Sequence, residues 1–502
     1  MPSFKSLLSK PVASWVIRQQ YRWSQDPVVT QWQVFKRLIK RAQYTLFGRI
    51  HHFDTIQNYE DFKACVPVRD YEGLIVYIDK IKAGVDNVLW PGKPMYLAKT
   101  SGTTSGSKYV PITKDSMPHH LRGARNALLN YIHETGKLDF LASKMVFLSG
   151  SPQLDYVGDI PTGRLSGIVN HHVPAYLRRN RLPSNATNCI EDWEAKVDAI
   201  VEETLHTRIG LIAGIPPWVQ MYLDKLQQRK GQRIKDIFPE LSLLVHGGVN
   251  FAPYSAKLFD TIGYSIDTIE TYPASEGFIA FQDSQQAEGL LLQLNSGMFF
   301  EFIPVNEYAR QHPTRLCIEE VALGVDYVII LSTNAGLWAY NLGDTVKFVS
   351  KAPYRIVVTG RIKHFISAFG EHVIAEEVEK AMQYALAKYS ETVLAEFTVA
   401  PQVSKQPGMP SYHEWLIAFV YPPRDLQAFA QYLDQMLRRL NAYYDDLVTG
   451  KVLQSLQITQ LTQDAFKKHM QAQDQLGGQN KVVHLANDRT LADALLVYKM
   501  GV

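Results

Sequence analysis

The chain has 502 residues, 46% of them hydrophobic and 11% aromatic, which supplies a large core and excludes a disordered chain. Lysine and arginine number 52 against 49 acidic residues, a formal charge of +3, which gives no footing for a nucleic-acid stripe or an anionic membrane partner. Length alone suggests roughly two to four domains.

In chain order, residues 1 to about 47 read as helices. "SLLSKPVASWVIRQQ" is broken by Lys10, Pro11 and Arg18, so it is expected to be an amphipathic helix and not a signal segment or a span. "QWQVFKRLIKRAQYTLFG" carries an apolar stripe at helical spacing, with Gly48 as the expected stop. From about 70 to 350, short β-rich runs alternate with longer helical patterns. "KMVFLSG", "IGLIAGIP", "LSLLVHGG" and "TIETYP" read as strands; "WEAKVDAIVEETLH" and "PPWVQMYLDKLQQ" read as helices. That alternation predicts α/β layers with buried strands. Around 298 to 348, strands with short turns predict an antiparallel, barrel-like subregion. After "GRIKHFISAFGEHV" come a helix, two strands, a helix and a strand, a small α+β unit. The expected fold is therefore α/β: a large multi-layer N-terminal domain over 1–362 and a smaller, mobile α+β domain over 363–502.

Cys65, Cys189 and Cys317 are far apart, with no CxxC or Cys/His cluster. They support neither a disulfide framework nor a zinc site, and they fit a reducing, cytoplasmic compartment.

"YLAKTSGTTSGSKYVPIT", from Tyr96 to Thr113, is the first stretch that carries chemistry. A phosphate loop needs inward backbone N–H groups, which glycine permits, and a cation to share the charge. Gly102 and Gly106, the hydroxyls of Ser101, Thr103, Thr104 and Ser105, and Lys108 supply both. The common GxxxxGK[ST] loop opens a helix, whereas here Ser107 precedes the lysine, Tyr109 follows it, and "YVPIT" reads as strand. A flexible hairpin is the plain alternative. Three more stretches bear on the choice. "TYPASEGF" sets Ser275 and Glu276 at a strand end, where a lone carboxylate is usually a solvated turn residue. "NAGLWAYNLGDTVKF" sets Asp344 in a Gly-Asp turn. "VVTGRIKHF" sets Arg361 and Lys363 at the expected domain cut.

Together and in this order, these four stretches resemble the adenylate-forming superfamily. Within it, "MFFEFIP", "AGLWAYNLGD" and "LGGQNKVVHLANDR" are similar to motifs of the GH3 auxin-responsive family, the acyl acid–amido synthetases. The resemblance runs from about 95 to 490. It departs where the family's ribose motif has arginines and this chain has Ala339 and Asn341, and where the plant acyl pocket would lie, which points to a bacterial-type member.

The resemblance implies a two-step ligase. ATP adenylates a carboxylic acid to acyl-AMP, and an amine, usually an amino acid, then takes the acyl group. It implies that Ser101 to Gly106 and Lys108 hold the β- and γ-phosphates, and that Glu276 holds Mg²⁺. Asp344 would accept from the ribose, and Arg361 would reach it. Gly247, Gly248, Tyr272 and Ser275 would complete the ATP site. Lys481 would be the adenylation lysine, Lys363 the hinge and Arg125 an acyl-acid contact. His171 and His172 receive no role. A monomer is expected, with no nucleic-acid or membrane partner. Two other readings stay open: an acyl-CoA ligase sharing the first step, and a nucleotide-binding regulator that no longer catalyses.

Overall fold

The computed structural model describes residues 4–103, 106–173, 178–249, 251–308, 310–362, 365–366, 369, 371, 373–404, 411–472 and 482–500. The chain divides into two compact units. One comprises Met1–Thr100, Lys108–Glu191 and Asp198–Ile362; the other comprises Ser101–Ser107, Asp192–Val197 and Lys363–Val502.

The strands before residue 363, in chain order, are β1 (Tyr96–Thr103), β2 (Gly106–Ile112), β3 (Lys144–Phe147), β4 (Asp155–Val157) and β5 (Ile160–Gly163). They continue with β6 (Arg181–Leu182), β7 (Ile209–Ala213), β8 (Leu243–Gly247), β9 (Asp267–Ala274) and β10 (Gly277–Phe281). The last are β11 (Leu290–Leu292), β12 (Met298–Pro304), β13 (Asp326–Thr333), β14 (Tyr340–Lys351) and β15 (Tyr354–Arg361). An eleven-stranded sheet runs β12-β13-β14-β15-β11-β10-β9-β8-β7-β3-β6. Its β6-β3-β7-β8-β9 half is parallel, as buried strands alternating with helices require. From β9 onward every pairing is antiparallel. The change of pattern read at 298 thus belongs to the same sheet as the parallel half.

The helix Pro27–Ala42 covers the β12 end. It buries Gln31, Val34, Phe35, Leu38, Ile39 and Ala42, the i, i+3, i+4 stripe of one helical face. Phe35 packs against Phe299 and Phe62, with ring centroids 4.9 and 5.3 Å away. Gln31 closes part of the open edge of β12: its Nε2 donates to the Met298 carbonyl (3.0 Å) and its Oε1 accepts from the Phe300 N–H (2.9 Å). Leu316 exchanges two backbone hydrogen bonds with Phe302 farther along the same edge. Gly48 is not the helix stop expected for it. The helix ends at Ala42, and Gly48 lies inside the next helical turn, Leu46–Ile50. A Cβ there would stand 2.2 Å from the Ala42 carbonyl oxygen, so close approach is what demands glycine.

The second unit holds β18 (Val393–Gln402), β19 (Tyr412–Tyr421) and β20 (Gln457–Leu461), numbered after the short pair β16 (Phe365–Ile366) and β17 (Val373–Ile374). β18 and β19 are antiparallel, and β20 is parallel to β19. Ala400, Leu416, Ala418, Leu461, Phe466, Ala492 and Leu495 form a core between this sheet and its helices. Residues 483–486 lie along β18: the Val399 N–H donates to the His484 carbonyl and the Ala486 N–H to the Val399 carbonyl, both at 2.9 Å.

Candidate active site

In open α/β sheets, ligands gather at the carboxyl ends of parallel strands, near a topological switch. Here those ends are Leu182, Phe147, Ala213, Gly247 and Ala274. Gly247 is paired with Thr271 on β9, and a Cβ on it would meet the Thr271 carbonyl oxygen at 2.2 Å. Gly248 follows with φ +84°, a conformation that favours glycine. His246, beside them, stacks on Phe251 with centroids 4.0 Å apart, and burial pushes its pKa down to about 4. It is neutral at physiological pH.

β9 and β10 join through a two-residue turn, Ser275–Glu276, at the point where the sheet changes from parallel to antiparallel. A carboxylate in such a turn is ordinarily solvated, yet Glu276 is only 7% exposed. Gly277 lets Met298 close over this corner; a Cβ there would lie 2.2 Å from the Met298 sulfur. Burying a carboxylate is costly unless hydrogen bonds or a cation meet it.

Asp344, on β14, is another buried carboxylate at 6% exposure. The Tyr272 hydroxyl, from β9, donates to its Oδ2. β14 and β9 are four strand spacings apart in the sheet order, about 19 Å if the sheet were flat. The antiparallel half therefore curls over toward β9. Around Asp344 the ladder is irregular: β13 residues Val328 and Ile330 pair with Thr345 and Asn341, so β14 carries extra residues between them. Gly343, at φ +91°, forms this bulge. Its carbonyl accepts from the Ile362 N–H (2.9 Å), and Asp344 is in register with Arg361 at the end of β15.

The phosphate-loop stretch is more strand-like than expected. β1 runs to Thr103 and β2 begins at Gly106, because Ser and Thr are compatible with extended backbone. Thr104 and Ser105 lie outside the described residues, as do the side chains of Ser101 to Ser107. Lys108, half-buried on β2, sets its Nζ 5.9 Å from the centre of the Tyr71 ring. Arg125 is exposed on the helix Met117–Thr135, where its guanidinium donates to Asn126 Oδ1 at 3.3 and 3.2 Å. These contacts tie it to its own helix. Lys363 and Lys481 lie outside the described residues. His172 Nε2 is 3.1 Å from the Tyr96 hydroxyl, and His171 Nε2 is 2.7 Å from the Pro152 carbonyl oxygen.

Two features received no role from the sequence. The first lies in "MFFEFIP". Glu301 is fully buried, accepting from Tyr59 Oη (2.8 Å) and Arg315 Nε (2.8 Å), while Arg315 Nη1 donates to the Val66 carbonyl (2.6 Å). The signal was legible: a lone carboxylate inside a six-residue apolar run must have a charged partner. The second is Asn341. Its Oδ1 accepts from the Gly343 N–H (2.8 Å) and its Nδ2 donates to the Tyr308 hydroxyl (2.5 Å).

Among the described residues no group of three or more His, Cys, Asp and Glu could cage a metal. A single carboxylate such as Glu276 would fit a hard divalent cation that takes its other oxygens from phosphates and water, the usual manner of Mg²⁺. No helix among the described residues is long and apolar enough to cross a membrane.

Three family models match the chain in order: the GH3 family N-terminal domain over residues 16–180, the central domain over 291–361 and the C-terminal domain over 376–490. A curated relative, jasmonoyl--L-amino acid synthetase JAR4 of Nicotiana attenuata, is 23% identical over 359 residues, 57% of this chain. The match spans 60% of that relative's length. Among solved structures, GH3.15 acyl acid amido synthetase superposes with a TM-score of 0.62 at 15% identity, covering 98% of this chain and 97% of its own. The 2-hydroxyisobutyryl-CoA ligase in complex with 2-HIB-AMP and CoA gives a TM-score of 0.58 at 14% identity, covering 93% and 92%. At these identities the two likenesses describe the fold.

Proposed function

The chain belongs to the GH3 family, and from that premise we propose that it is an ATP-dependent acyl acid–amido synthetase. What carries the reading is the Tyr272–Asp344 bond, which joins two motifs distant in sequence at the mouth of the parallel strands.

In the first step a carboxylate oxygen of the acid attacks the α-phosphorus of ATP; the bond to the bridging oxygen breaks and pyrophosphate leaves. In the second, an amine nitrogen, from an amino acid, attacks the acyl carbon. AMP leaves with the bonding pair, and the nitrogen gives up a proton. Ser101 to Gly106 and Lys108 meet the β- and γ-phosphates with N–H groups, hydroxyls and one cation. Gly247, Gly248, Tyr272 and Ser275 line the nucleotide, Asp344 accepts from ribose hydroxyls, and Arg361 reaches the same sugar. Glu276 would hold Mg²⁺, which neutralises charge on the phosphates when bound. Lys481 brings a cation to the α-phosphate in the first step. Lys363 is the hinge on which the domain 363–502 turns between steps. Arg125 contacts the acid. The enzyme works as a cytoplasmic monomer.

ATP–pyrophosphate exchange across aryl, indolyl and fatty acids, without amine or CoA, tests the first step. Exchange followed by conjugation to an amino acid is the expected result. Exchange followed only by thioester formation with CoA makes it an acyl-CoA ligase, and no exchange with any acid leaves a nucleotide-binding regulator.

A further inference from the structure

We propose that Asn341 is a positioning residue for ribose recognition: it fixes the bulged Gly343–Asp344 turn and is itself anchored by Tyr308, an inference that rests on Asp344 being the ribose acceptor. The bulge takes Gly343 out of the ladder with β13, so its backbone N–H loses the strand partner a regular pairing would supply. Asn341 Oδ1 takes that N–H at 2.8 Å. The Asn341 side chain is then held from the other end, its Nδ2 donating to Tyr308 Oη at 2.5 Å. Its backbone is fixed as well: the Asn341 N–H donates to the Arg69 carbonyl at 2.7 Å, and the Arg69 N–H donates to the Ala339 carbonyl at 3.0 Å.

Asn341 is 6% exposed, so water offers little substitute for these bonds. The consequence falls on Asp344, one bond beyond Gly343. Its carboxylate must meet the ribose while accepting from Tyr272, which comes from β9 on the far side of the curl. The Ile362 N–H holds the Gly343 carbonyl on one side of the turn, and the Asn341 bond holds its N–H on the other, which leaves Asp344 one orientation toward Tyr272. Tyr308 is delivered by the short turn Val305–Glu307 that follows β12, so the strand bearing "FFEFIP" and the strand bearing "YNLGD" meet at this side chain.

The test is pyrophosphate exchange with ATP, 2′-deoxy-ATP and 3′-deoxy-ATP, using wild type, Asn341→Ala, Asn341→Ser and Tyr308→Phe, with the Tm of each protein and the KM for the acyl acid as controls. Wild type is expected to prefer ATP over at least one analogue. Asn341→Ala should lower kcat/KM for ATP about tenfold while leaving that analogue nearly unchanged, so the preference collapses. Asn341→Ser, whose hydroxyl can accept from the N–H two residues on, should recover part of it. Tyr308→Phe should lose less than Asn341→Ala, in the same direction. Equal losses for ATP and both analogues, in any variant that folds, mean a merely structural asparagine and overturn the proposal. A wild type that exchanges but prefers ATP over neither analogue overturns both the role of Asp344 and the inference. A wild type with no exchange for any acid sinks the synthetase reading itself, and the inference falls with it.

Discussion

The Tyr272 hydroxyl reaches the Asp344 carboxylate across four strand spacings of one sheet. A flat sheet would hold them about 19 Å apart. The bond therefore ties the curl of the antiparallel half to the carboxyl ends of the parallel half. Tyr272→Phe keeps the ring and removes the donor. Its kcat/KM for ATP in pyrophosphate exchange is expected to fall about tenfold, with little change in KM for the acid. An unchanged value would show that Asp344 is oriented without Tyr272.

Glu276 is buried in a turn that would ordinarily be wet. Glu276→Gln preserves shape and removes charge. A Mg²⁺ titration of exchange should move to at least tenfold higher metal, and the rate at saturation should fall on the order of a hundredfold. A variant with the wild-type Mg²⁺ dependence would assign this carboxylate to structure.

Lys481→Ala should cost on the order of a hundredfold or more in pyrophosphate exchange, whereas aminolysis of supplied acyl-AMP should persist. Equal rates for variant and wild type in both assays would place the adenylation cation elsewhere.

Glu301 and Arg315 form an ion pair inside the apolar end of the large sheet, 2.6 Å from Oε1 to Nη2. Removing one partner leaves an uncompensated buried charge. Arg315→Met is expected to destabilise by about 3–5 kcal/mol in urea unfolding, and exchanging both residues for apolar ones should cost far less. If the single and double replacements cost the same, the pair is not the source of the stability.

His484 is raised above its ordinary pKa, first by the Glu396 carboxylate that its Nε2 meets at 3.0 Å, against the opposing effect of burial, and further by Glu379 at Nδ1, 2.9 Å away. A raised folded value means the proton is bound more tightly in the folded state. The stabilisation is present in full below about pH 6.5 and is lost as pH rises through the folded value. The stability difference between wild type and His484→Ala, measured from pH 6 to pH 9, should shrink with rising pH. A difference that is flat or grows would contradict the carboxylate clamp.

Much of this was legible in the sequence. "IGLIAGIP", "LSLLVHGG" and "TIETYP" are short β-rich runs between helical patterns, and they form β7, β8 and β9 of the parallel half of the sheet. "VLAEFTVAP" and "EWLIAFVYP" likewise form β18 and β19 of the small unit. Contacts closed by distant segments were harder to read. Gly48 looked like a helix stop because a glycine after an apolar stripe usually is one; what requires it is a carbonyl six residues back. Glu276 and Asp344 each looked like a turn residue, since burial at a turn depends on what folds over it. Asn341 stood out only as a departure from the family's arginine. Its bonds to Gly343 and Tyr308 depend on a bulge that spacing does not reveal.

β12 ends the large sheet, and all but one of its seven residues are buried. An apolar strand at a sheet boundary, with outward amides and carbonyls, is a template on which another chain can pair. Gln31 and Leu316 occupy that outer row. One is a side chain from a helix 267 residues upstream of Met298, and the other is a stretch of backbone that returns after the strand. The colloidal behaviour of the large sheet thus depends on a helix that supplies none of the candidate site residues. Loss of the segment bearing Gln31 would bare this row together with the core face that its helix buries, and chain-to-chain association and precipitation are the expected result.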